Sequence, residues 1–157
     1  MRVFASVGTH PQPFDRLLKE LDRIAGKEKL SFFAQIGNSK YEPKNFPFER
    51  FLNEKEYQQR ISEAGILVSH GGAGTIINGL RQGKRVVVVP RLKKFGEHTN
   101  DHQLDLSEAL AGEGKVISVE KMAGLEAALK RAASFRPRIA SNRQKLIKRI
   151  EEFIDLA

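Results

Sequence analysis

The sequence predicts a doubly wound α/β fold, in which a mostly parallel, Rossmann-like sheet is covered by helices on both faces. Short apolar strand patterns alternate with amphipathic helical patterns along the chain. The β-branched run Arg85–Val89 is typical of a strand that is buried on both faces. A glycine-rich turn, residues 69–75, joins one strand pattern directly to a helix pattern. These three observations together indicate a parallel sheet.

The first part of the chain contains three strand patterns and two helix patterns. The strands are predicted at Val3–Val7, Leu30–Ile36 and Phe48–Leu52, where apolar residues form short runs. A helix between the first two starts at Pro13, carries Phe14, Leu17, Leu18, Leu21 and Ile24 on one face, and stops at Gly26. Asn53 and Glu56 form a capping-box pattern that starts the next helix.

The second part continues the alternation. It contains a strand at Ile66–Ser69, a helix at Ala73–Gln82 closed by Gly83, a strand at Arg85–Val89 ended by Pro90, a loop at Arg91–Thr99, a helix reaching Leu110, a strand at Lys115–Val119, and a helix carrying Met122, Leu125, Leu129 and Ala132. Pro137 separates the final helix from the rest.

Length and composition fit one soluble domain. The chain has 157 residues, of which 40% are hydrophobic, enough to form a core. It contains no cysteine, which excludes disulfides and thiolate metal sites. It shows neither a signal-like start nor an apolar run of about 18 residues. We therefore expect a cytoplasmic protein.

The net charge of +8 is concentrated near the end of the chain. Residues 130–149 hold eight basic and no acidic residues, and the rest balances 19 basic with 19 acidic residues. We therefore divide the chain into a main domain, residues 1–137, and a basic amphipathic helix, residues 138–157. The helix could pack on its own sheet or on a partner; an anionic membrane or a protein would fit its charge, and a solvated face is the alternative. Its predicted apolar stripe consists of Ile139, Leu146, Ile150, Phe153 and Ile154.

The glycine-rich turn carries a chemical prediction. A helix N-terminus offers unpaired backbone N–H groups and a partial positive charge, and glycine lets an anion approach them. A nucleotide or nucleotide-sugar site is the first hypothesis. The alternative is a tight turn that only lets helix pack on strand. The chain lacks the Walker lysine motif, so ATP hydrolysis is not indicated.

All four histidines follow predicted strands: His10 the first, His70 the fourth, and His98 and His102 the fifth. The fold should gather them at one edge of the sheet, where loops commonly carry function. A metal site with Glu97 and Asp101 would use them, but no ligand pair has compact zinc spacing. The polar loop 91–103 reads as a binding loop. Its alternative is structural, with Asn100 and Gln103 as a capping box and Lys93 and Lys94 as solubilising charges.

Three motifs in this order and spacing carry a family resemblance. They are Val7-Gly8-Thr9-His10, Ser69 to Thr75, and Glu97 to Gln103. The chain resembles the glycosyltransferase family 28 C-terminal domain over most of its length. It is most similar to the small soluble subunits of two-component UDP-sugar transferases of the exopolysaccharide or dolichol-pathway type.

The resemblance implies the C-terminal, donor-binding half of a GT-B enzyme, with UDP-sugar as the donor substrate and neither cofactor nor metal. It implies inverting transfer of a hexose to a lipid-diphosphate-linked acceptor, with a separate membrane-anchored subunit binding the acceptor and holding this chain at the membrane. The residues it implies for donor binding are Gly8, Thr9, His70, Gly71, Gly72, Ala73, Gly74, Thr75, Asn78, Arg91, Glu97, Asp101, His102 and Gln103. Arg91 would stabilise the departing UDP and Gln103 would contact the sugar.

Two points in the resemblance stay open. Many relatives have glutamate where this chain has Asn78, which could still bond the ribose, although more weakly. The general base could be His10, His98 or a group of the partner. A noncatalytic enhancer subunit is therefore the alternative function.

Without its partner, the chain could self-associate through an exposed apolar stripe. Nucleic-acid binding is disfavoured, because the basic segment lacks interleaved aromatic residues beyond Phe135.

Overall fold

The computed structural model describes residues 1–138 and 143–155. Strands and helices alternate along the chain, as predicted, except that β2 is followed directly by β3. In chain order they are β1 (Arg2–Ser6), α1 (Asp15–Ala25), β2 (Ser31–Gln35), β3 (Phe48–Glu49), α2 (Glu54–Glu63), β4 (Ile66–Ser69), α3 (Ala73–Arg81), β5 (Arg85–Val88), α4 (His102–Gly112), β6 (Ile117–Ser118), α5 (Leu125–Ala132) and α6 (Arg143–Asp155).

The six strands form one parallel sheet in the order β3-β2-β1-β4-β5-β6. This confirms the doubly wound α/β prediction. The chain moves outward in one direction from β1 to β3 and in the other from β4 to β6, so the connections diverge between β1 and β4. In such sheets the loops that leave the two central strands separate and open a crevice at their carboxyl ends.

The sheet is covered on both faces. Side chains alternate along each strand, so that Val3 and Ala5 belong to a core cluster with α1 and α5, whereas Phe4 belongs to a second cluster with α2, α3 and α4. Val86 and Val88 of β5 also lie in the second cluster, and Val87 lies in the first. The valines of β5 therefore contribute to both core clusters, which explains why the sequence of this strand is continuously apolar.

The centre of the chain follows the sequence closely. β4 spans the predicted residues, and α3 begins at Ala73 and ends one residue early, at Arg81, before Gly83 with its left-handed φ of 69°. The capping box predicted for α2 is confirmed: Asn53 accepts a hydrogen bond from the Glu56 amide, and Glu56 accepts one from the Asn53 amide. These elements were predictable because their signals are local.

Several predicted boundaries were wrong. α1 begins at Asp15, so Pro13 precedes the helix instead of starting it. β3 and β6 are each only two residues long, and β5 ends at Val88. A 3₁₀ turn at Lys93–Phe95 interrupts the predicted loop, and Met122 lies in another 3₁₀ turn before α5. β3 and β6 are the outer strands, so each pairs on one side only.

The final helix contacts its own domain. Ile150 is fully buried in the second core cluster, and α6 lies against α3 and α4. Arg149 donates from Nε to a Glu113 carboxylate oxygen at 2.8 Å, just beyond the end of α4. Lys145 and Lys148 are exposed. The other members of the predicted stripe, Ile139, Leu146, Phe153 and Ile154, lie outside the residues whose side chains are described.

Candidate functional site

A cleft of about 350 Å³ opens at the carboxyl ends of the central strands, between the first turns of α2 and α3. This is the crevice that the strand order predicts. Another cavity, of about 370 Å³, lies at the amino ends of β1 and β2 beside Arg60 and Glu63, away from the glycine-rich turn and the histidines. The cleft is therefore the candidate site. Its lining residues are Ser6, Gly8, Thr9, His10, Gln35, Leu52, Glu54, Tyr57, His70, Gly72, Gly74 and Thr75.

His70 is buried in the wall of this cleft and fits between two glycines. A Cβ atom on Gly8 would lie 2.5 Å from Nε2 of His70, and one on Gly72 would lie 2.4 Å from Cε1. Gly8 also has a φ of 79°, a conformation that disfavours other residues. The two glycines therefore make room for the imidazole, a role that the sequence alone did not reveal.

Gln103 fixes the protonation pattern of His70. The Arg91 amide donates to Oε1 of Gln103 at 3.1 Å, which turns Nε2 of Gln103 toward Nδ1 of His70, 3.3 Å away. An amide NH₂ group can only donate, so Nδ1 accepts and the imidazole proton lies on Nε2. Burial, assisted by the nearby Arg91 guanidinium, lowers the pKa of His70 to about 3. His70 is thus a neutral N–H donor at physiological pH.

Arg91 lies behind the cleft and does not line it. Its side chain is only 1% exposed, and its terminal nitrogens donate to the carbonyl oxygens of Val7 at 2.6 Å, Gln12 at 2.7 Å and Glu97 at 3.1 Å. Burial lowers its pKa to about 10, which still leaves it charged at neutral pH. In this structure Arg91 joins the loop after β1 to the loop after β5, and its expected contact with the departing UDP stays a prediction.

Glu97 is part of the same scaffold. It is 3% exposed, and both of its oxygens accept hydrogen bonds from Arg16 of α1, at 2.9 and 3.0 Å. One oxygen also accepts from the Leu92 amide at 3.1 Å. Its carboxylate is therefore used in holding the loop, and the structure does not bring it into the cleft.

His10 and His98 meet at the rim, with ring centroids 4.6 Å apart. Nδ1 of His10 is hydrogen-bonded to Oε1 of Gln12, so Nδ1 is the donor and, in the neutral imidazole, the lone pair lies on Nε2. Nδ1 of His98 accepts from the Asn100 amide at 3.3 Å. Burial, and then the proximity of His10, lower the pKa of His98. Of the two, His10 lines the cleft.

The start of α4 holds the remaining loop candidates. Asp101 accepts from the Lys93 amide at 2.9 Å and is exposed, and His102 is half-exposed, 3.9 Å from an Asp105 oxygen. Asn100 accepts from the His102 amide at 3.1 Å. The suggested capping box of Asn100 and Gln103 does not form, because Gln103 reaches back to Arg91 and His70 instead.

The glycine-rich turn and the first turn of α3 form one wall of the cleft. Gly71 has a φ of 93°, and a Cβ atom there would lie 2.9 Å from Cβ of Gln103. Ala73 is the first residue of α3. At Gly74, the next residue, no described atom outside the chain neighbours and the helix's own backbone lies within 4 Å of where a Cβ would be. The first turn of α3 therefore faces open space, as an anion site requires.

Sequence reasoning missed the α2 side of the cleft. Glu54 and Tyr57 line it from the first turns of α2, and the Tyr57 hydroxyl is hydrogen-bonded to Oγ1 of Thr75 at 2.8 Å. The capping box marked the start of α2, but only the strand order reveals that this start lies beside α3. Asn78 does not line the cleft, and its Oδ1 accepts from Gln82 at 3.3 Å.

The described residues form neither a metal-binding cluster nor a membrane-spanning helix. Within residues 1–138 and 143–155, no group of three or more His, Asp or Glu side chains could hold a metal ion. In that same part of the chain, no helix combines the length and the apolar character needed to cross a bilayer.

The chain is a doubly wound α/β domain in which the N-terminus of a helix is open to an anion. This arrangement is usual in nucleotide-binding domains. The model of the glycosyltransferase family 28 C-terminal domain matches residues 2–156, and the chain belongs to that family. The resemblance read from the three motifs is confirmed.

Two curated relatives extend the comparison. The chain is 33% identical over 124 residues to the mouse UDP-N-acetylglucosamine transferase subunit ALG13, covering 72% of this chain and 10% of that protein. The human subunit of the same name is 34% identical over 123 residues, covering 71% and 10%. The chain thus spans about a tenth of the length of these relatives.

Solved structures agree on the fold. A structure of the kitacinnamycin glycosyltransferase superposes with a TM-score of 0.67 at 22% identity, over 97% of this chain and 39% of that one. The solution structure of ALG13 gives 0.64 at 16% identity, over 92% of both chains. The chain has the fold of the C-terminal half of a GT-B glycosyltransferase.

Proposed function

We propose that this chain is the donor-binding, catalytic subunit of a two-component UDP-sugar glycosyltransferase, and that its cleft binds the UDP moiety. The observation that carries the proposal is the cleft itself. The open first turn of α3 and the buried, neutral His70 converge at the divergence point of the sheet. Membership in the family and the names of the two curated relatives support the transferase activity and the partner subunit.

The diphosphate would bind at the start of α3. Backbone N–H groups of residues 72–75 would donate to its oxygens, and the Nε2–H group of His70 would add a side-chain donor. Preorganised dipoles of this kind stabilise the charge that develops on a leaving UDP, which is the task that Mg²⁺ performs in other transferases. We therefore propose a reaction without a metal ion.

Gln103 would act on the donor through His70. Because both ends of its amide are engaged, with the Arg91 amide and with His70, it orients the imidazole and does not reach toward the sugar. The exposed Asp101 and the half-exposed His102 then become the candidates for contacts with the sugar hydroxyls. Arg91 and Glu97 would support binding by holding the two loops together.

The acceptor would approach from the rim where His10 lies. The Nε2 lone pair of neutral His10 is suited to take a proton from an acceptor hydroxyl. The acceptor oxygen would attack the anomeric carbon from the side opposite UDP, which inverts the configuration at that carbon. We propose that the partner is membrane-anchored and supplies the other wall of the cleft together with a lipid-diphosphate-linked acceptor, as in exopolysaccharide or glycolipid synthesis.

The alternative proposal is a noncatalytic subunit that stabilises such a transferase. The position of Asn78 favours it, because Asn78 is bonded to Gln82 and does not line the cleft. Activity of the reconstituted pair separates the two proposals. If the chain is catalytic, the His10→Gln variant should reduce turnover at least tenfold while UDP still binds. Unchanged turnover would show that His10 is not the general base, and turnover that survives loss of UDP binding to this chain would favour the noncatalytic subunit.

Reconstitution also identifies the donor. The purified chain would be added to a membrane fraction that contains the partner, with UDP-glucose, UDP-galactose, UDP-glucuronate or UDP-N-acetylglucosamine as donor. We expect transfer from one of these to a lipid-linked product, dependent on the chain. If no donor gives a product that depends on the chain, and UDP does not bind, the proposed function is wrong.

A further inference from the structure

We propose that a small basic cavity at the amino end of the sheet binds a phosphate group. The cavity, of about 250 Å³, lies where β4 and β5 begin, at the end of the sheet opposite to the cleft. A phosphate bound there leaves the cleft accessible, so the inference does not depend on the proposed function. The lining residues are Ala64, Gly65, Gly83, Lys84, Arg85, Phe135, Arg136 and Pro137.

The charged residues that line this cavity are all basic. They are Lys84, Arg85 and Arg136, and the described lining residues include no carboxylate. Glu63 precedes this set in the chain, but its carboxylate is paired with Arg2 at 3.5 Å. Cations that lie close together without a carboxylate between them repel one another, and an anion among them is attracted by all three. The charge of the cavity therefore favours an anionic ligand.

Arg85 is held in place by the segment that follows α5. Its Nε donates to the carbonyl oxygen of Phe135 at 3.1 Å, and the residue is half-buried. Among the described residues, nothing accepts a hydrogen bond from its two terminal nitrogens. A guanidinium fixed in this way presents its free N–H groups in one plane, the geometry that pairs with two oxygens of a phosphate.

Lys84 and Arg136 add further donors. Nζ of Lys84 donates to the carbonyl oxygen of Ser62 at 2.7 Å, which leaves two of its three N–H groups for a ligand. Arg136 is exposed, and its side chain forms no ion pair or hydrogen bond with the part of the chain that the structure describes. Three cations match the two negative charges of a phosphate group better than the single charge of a carboxylate.

The cavity also accounts for part of the basic segment near the end of the chain. Residues 130–149 contain eight basic and no acidic residues. Some of these cations stabilise the fold; Arg149, for example, is paired with Glu113 at 2.8 Å. Arg136 has no such partner among the described residues, and a bound phosphate supplies one.

The test is an NMR titration of the ¹⁵N-labelled chain with sodium pyrophosphate, with sodium chloride at equal ionic strength as the salt control. We expect saturable shifts of the amides of residues 83–85 and of the Arg85 Nε–H group with pyrophosphate and not with chloride. Arg136→Gln removes a charged donor at an exposed position, so it should fold normally and weaken this binding about tenfold. Arg131→Gln is the matched control: Arg131 is exposed and does not line the cavity, so this variant should bind like wild type.

A vesicle assay distinguishes a lipid headgroup from a soluble phosphate. If the ligand is a headgroup, the chain should sediment with vesicles of phosphatidylcholine and phosphatidic acid, and Arg136→Gln should lower its recovery at least about threefold. If the ligand is soluble, pyrophosphate should bind and Arg136→Gln should leave vesicle recovery unchanged.

The inference is wrong if wild type shows neither saturable shifts at residues 83–85 nor a vesicle recovery that depends on Arg136. It is also wrong if Arg131→Gln weakens binding as much as Arg136→Gln, because the effect is then one of overall charge. Shifts at residues 71–75 report on the cleft, so the same titration tests the proposed function separately.

Discussion

Gly74 offers a direct way to test the anion site without disturbing the fold. It is the second residue of α3, it is exposed, and outside its chain neighbours and its own helix backbone no atom of the described residues lies within 4 Å of where its Cβ would be. Gly74→Asp therefore adds a carboxylate to the mouth of the cleft without a steric clash. Because a negative charge near a helix N-terminus stabilises the helix by about 0.3–1 kcal/mol, the free energy of unfolding should stay equal or rise slightly.

The same carboxylate should prevent diphosphate binding. Two unit charges about 6 Å apart repel by about 3 kcal/mol at an effective dielectric constant of ~20. A change of ~1.4 kcal/mol corresponds to a factor of ten in Kd, so the Kd for UDP should rise about 100-fold. The assay is calorimetric titration with UDP at low salt, with thermal unfolding measured on the same samples.

Two controls separate charge from shape. Gly74→Asn adds a neutral side chain of the same size, and it should change the Kd less than tenfold. Gly124→Asp adds the same charge at another glycine with open space, just before α5 and away from the cleft, and should leave UDP binding unchanged. A folded Gly74→Asp chain that binds UDP within about threefold of wild type would refute the reasoning. Gly72 is unsuitable for this test, because a Cβ there collides with His70.

The remaining predictions concern pH, the loop scaffold and the final helix. The pKa of His70 is about 3 in the folded chain and 6.5 without the fold, so stability should be complete above pH 6.5 and fall toward pH 3 by up to about 1.4 kcal/mol per pH unit. Chemical denaturation at several pH values should show this loss of unfolding free energy at low pH in wild type but not in His70→Gln. Identical pH profiles of the two chains would contradict the lowered pKa of His70. Arg91→Met should lower the free energy of unfolding by about 3 kcal/mol or more, because buried carbonyl oxygens lose their donors, whereas Lys93→Met at an exposed site should cost little. A stable Arg91→Met chain that loses only UDP affinity would instead favour a direct phosphate contact. If the basic face of α6 binds an anionic membrane directly, the wild-type chain should sediment with anionic vesicles, and Lys145→Glu with Lys148→Glu should release it without unfolding, since both residues are exposed while Ile150 stays in the core. Vesicle recovery that this double substitution leaves unchanged would exclude a membrane role for this face.

The β4–α3 segment was predictable from the sequence because its signals are local. A short apolar run predicts β4, the glycines predict the turn, and Gly83 predicts the helix end. The outer strands β3 and β6 were predicted too long, since the length of an edge strand depends on how far its single neighbour pairs with it. Local apolar content does not contain that information.

The sequence predicted which edge of the sheet carries the site, but not which side chains line it. Strand ends placed the histidines at one edge, and the structure brings His10, His70 and His98 together there. The sequence did not distinguish side chains that face the cleft from those that hold its loops. Arg91, Glu97 and Gln103 are polar loop residues of the expected kind, but their partners, such as Arg16 and the Val7 carbonyl, come from distant parts of the chain. Tertiary contacts alone decide that difference.

The central claim, that the first turn of α3 and His70 bind the diphosphate of UDP, is tested most directly by an NMR titration of the ¹⁵N-labelled chain with UDP. We expect saturable shifts of the amides of residues 71–75 and of the His70 imidazole, and no such shifts in Gly74→Asp. Absence of these shifts in wild type, alone and with its partner, or shifts confined to residues outside the cleft, would contradict the claim.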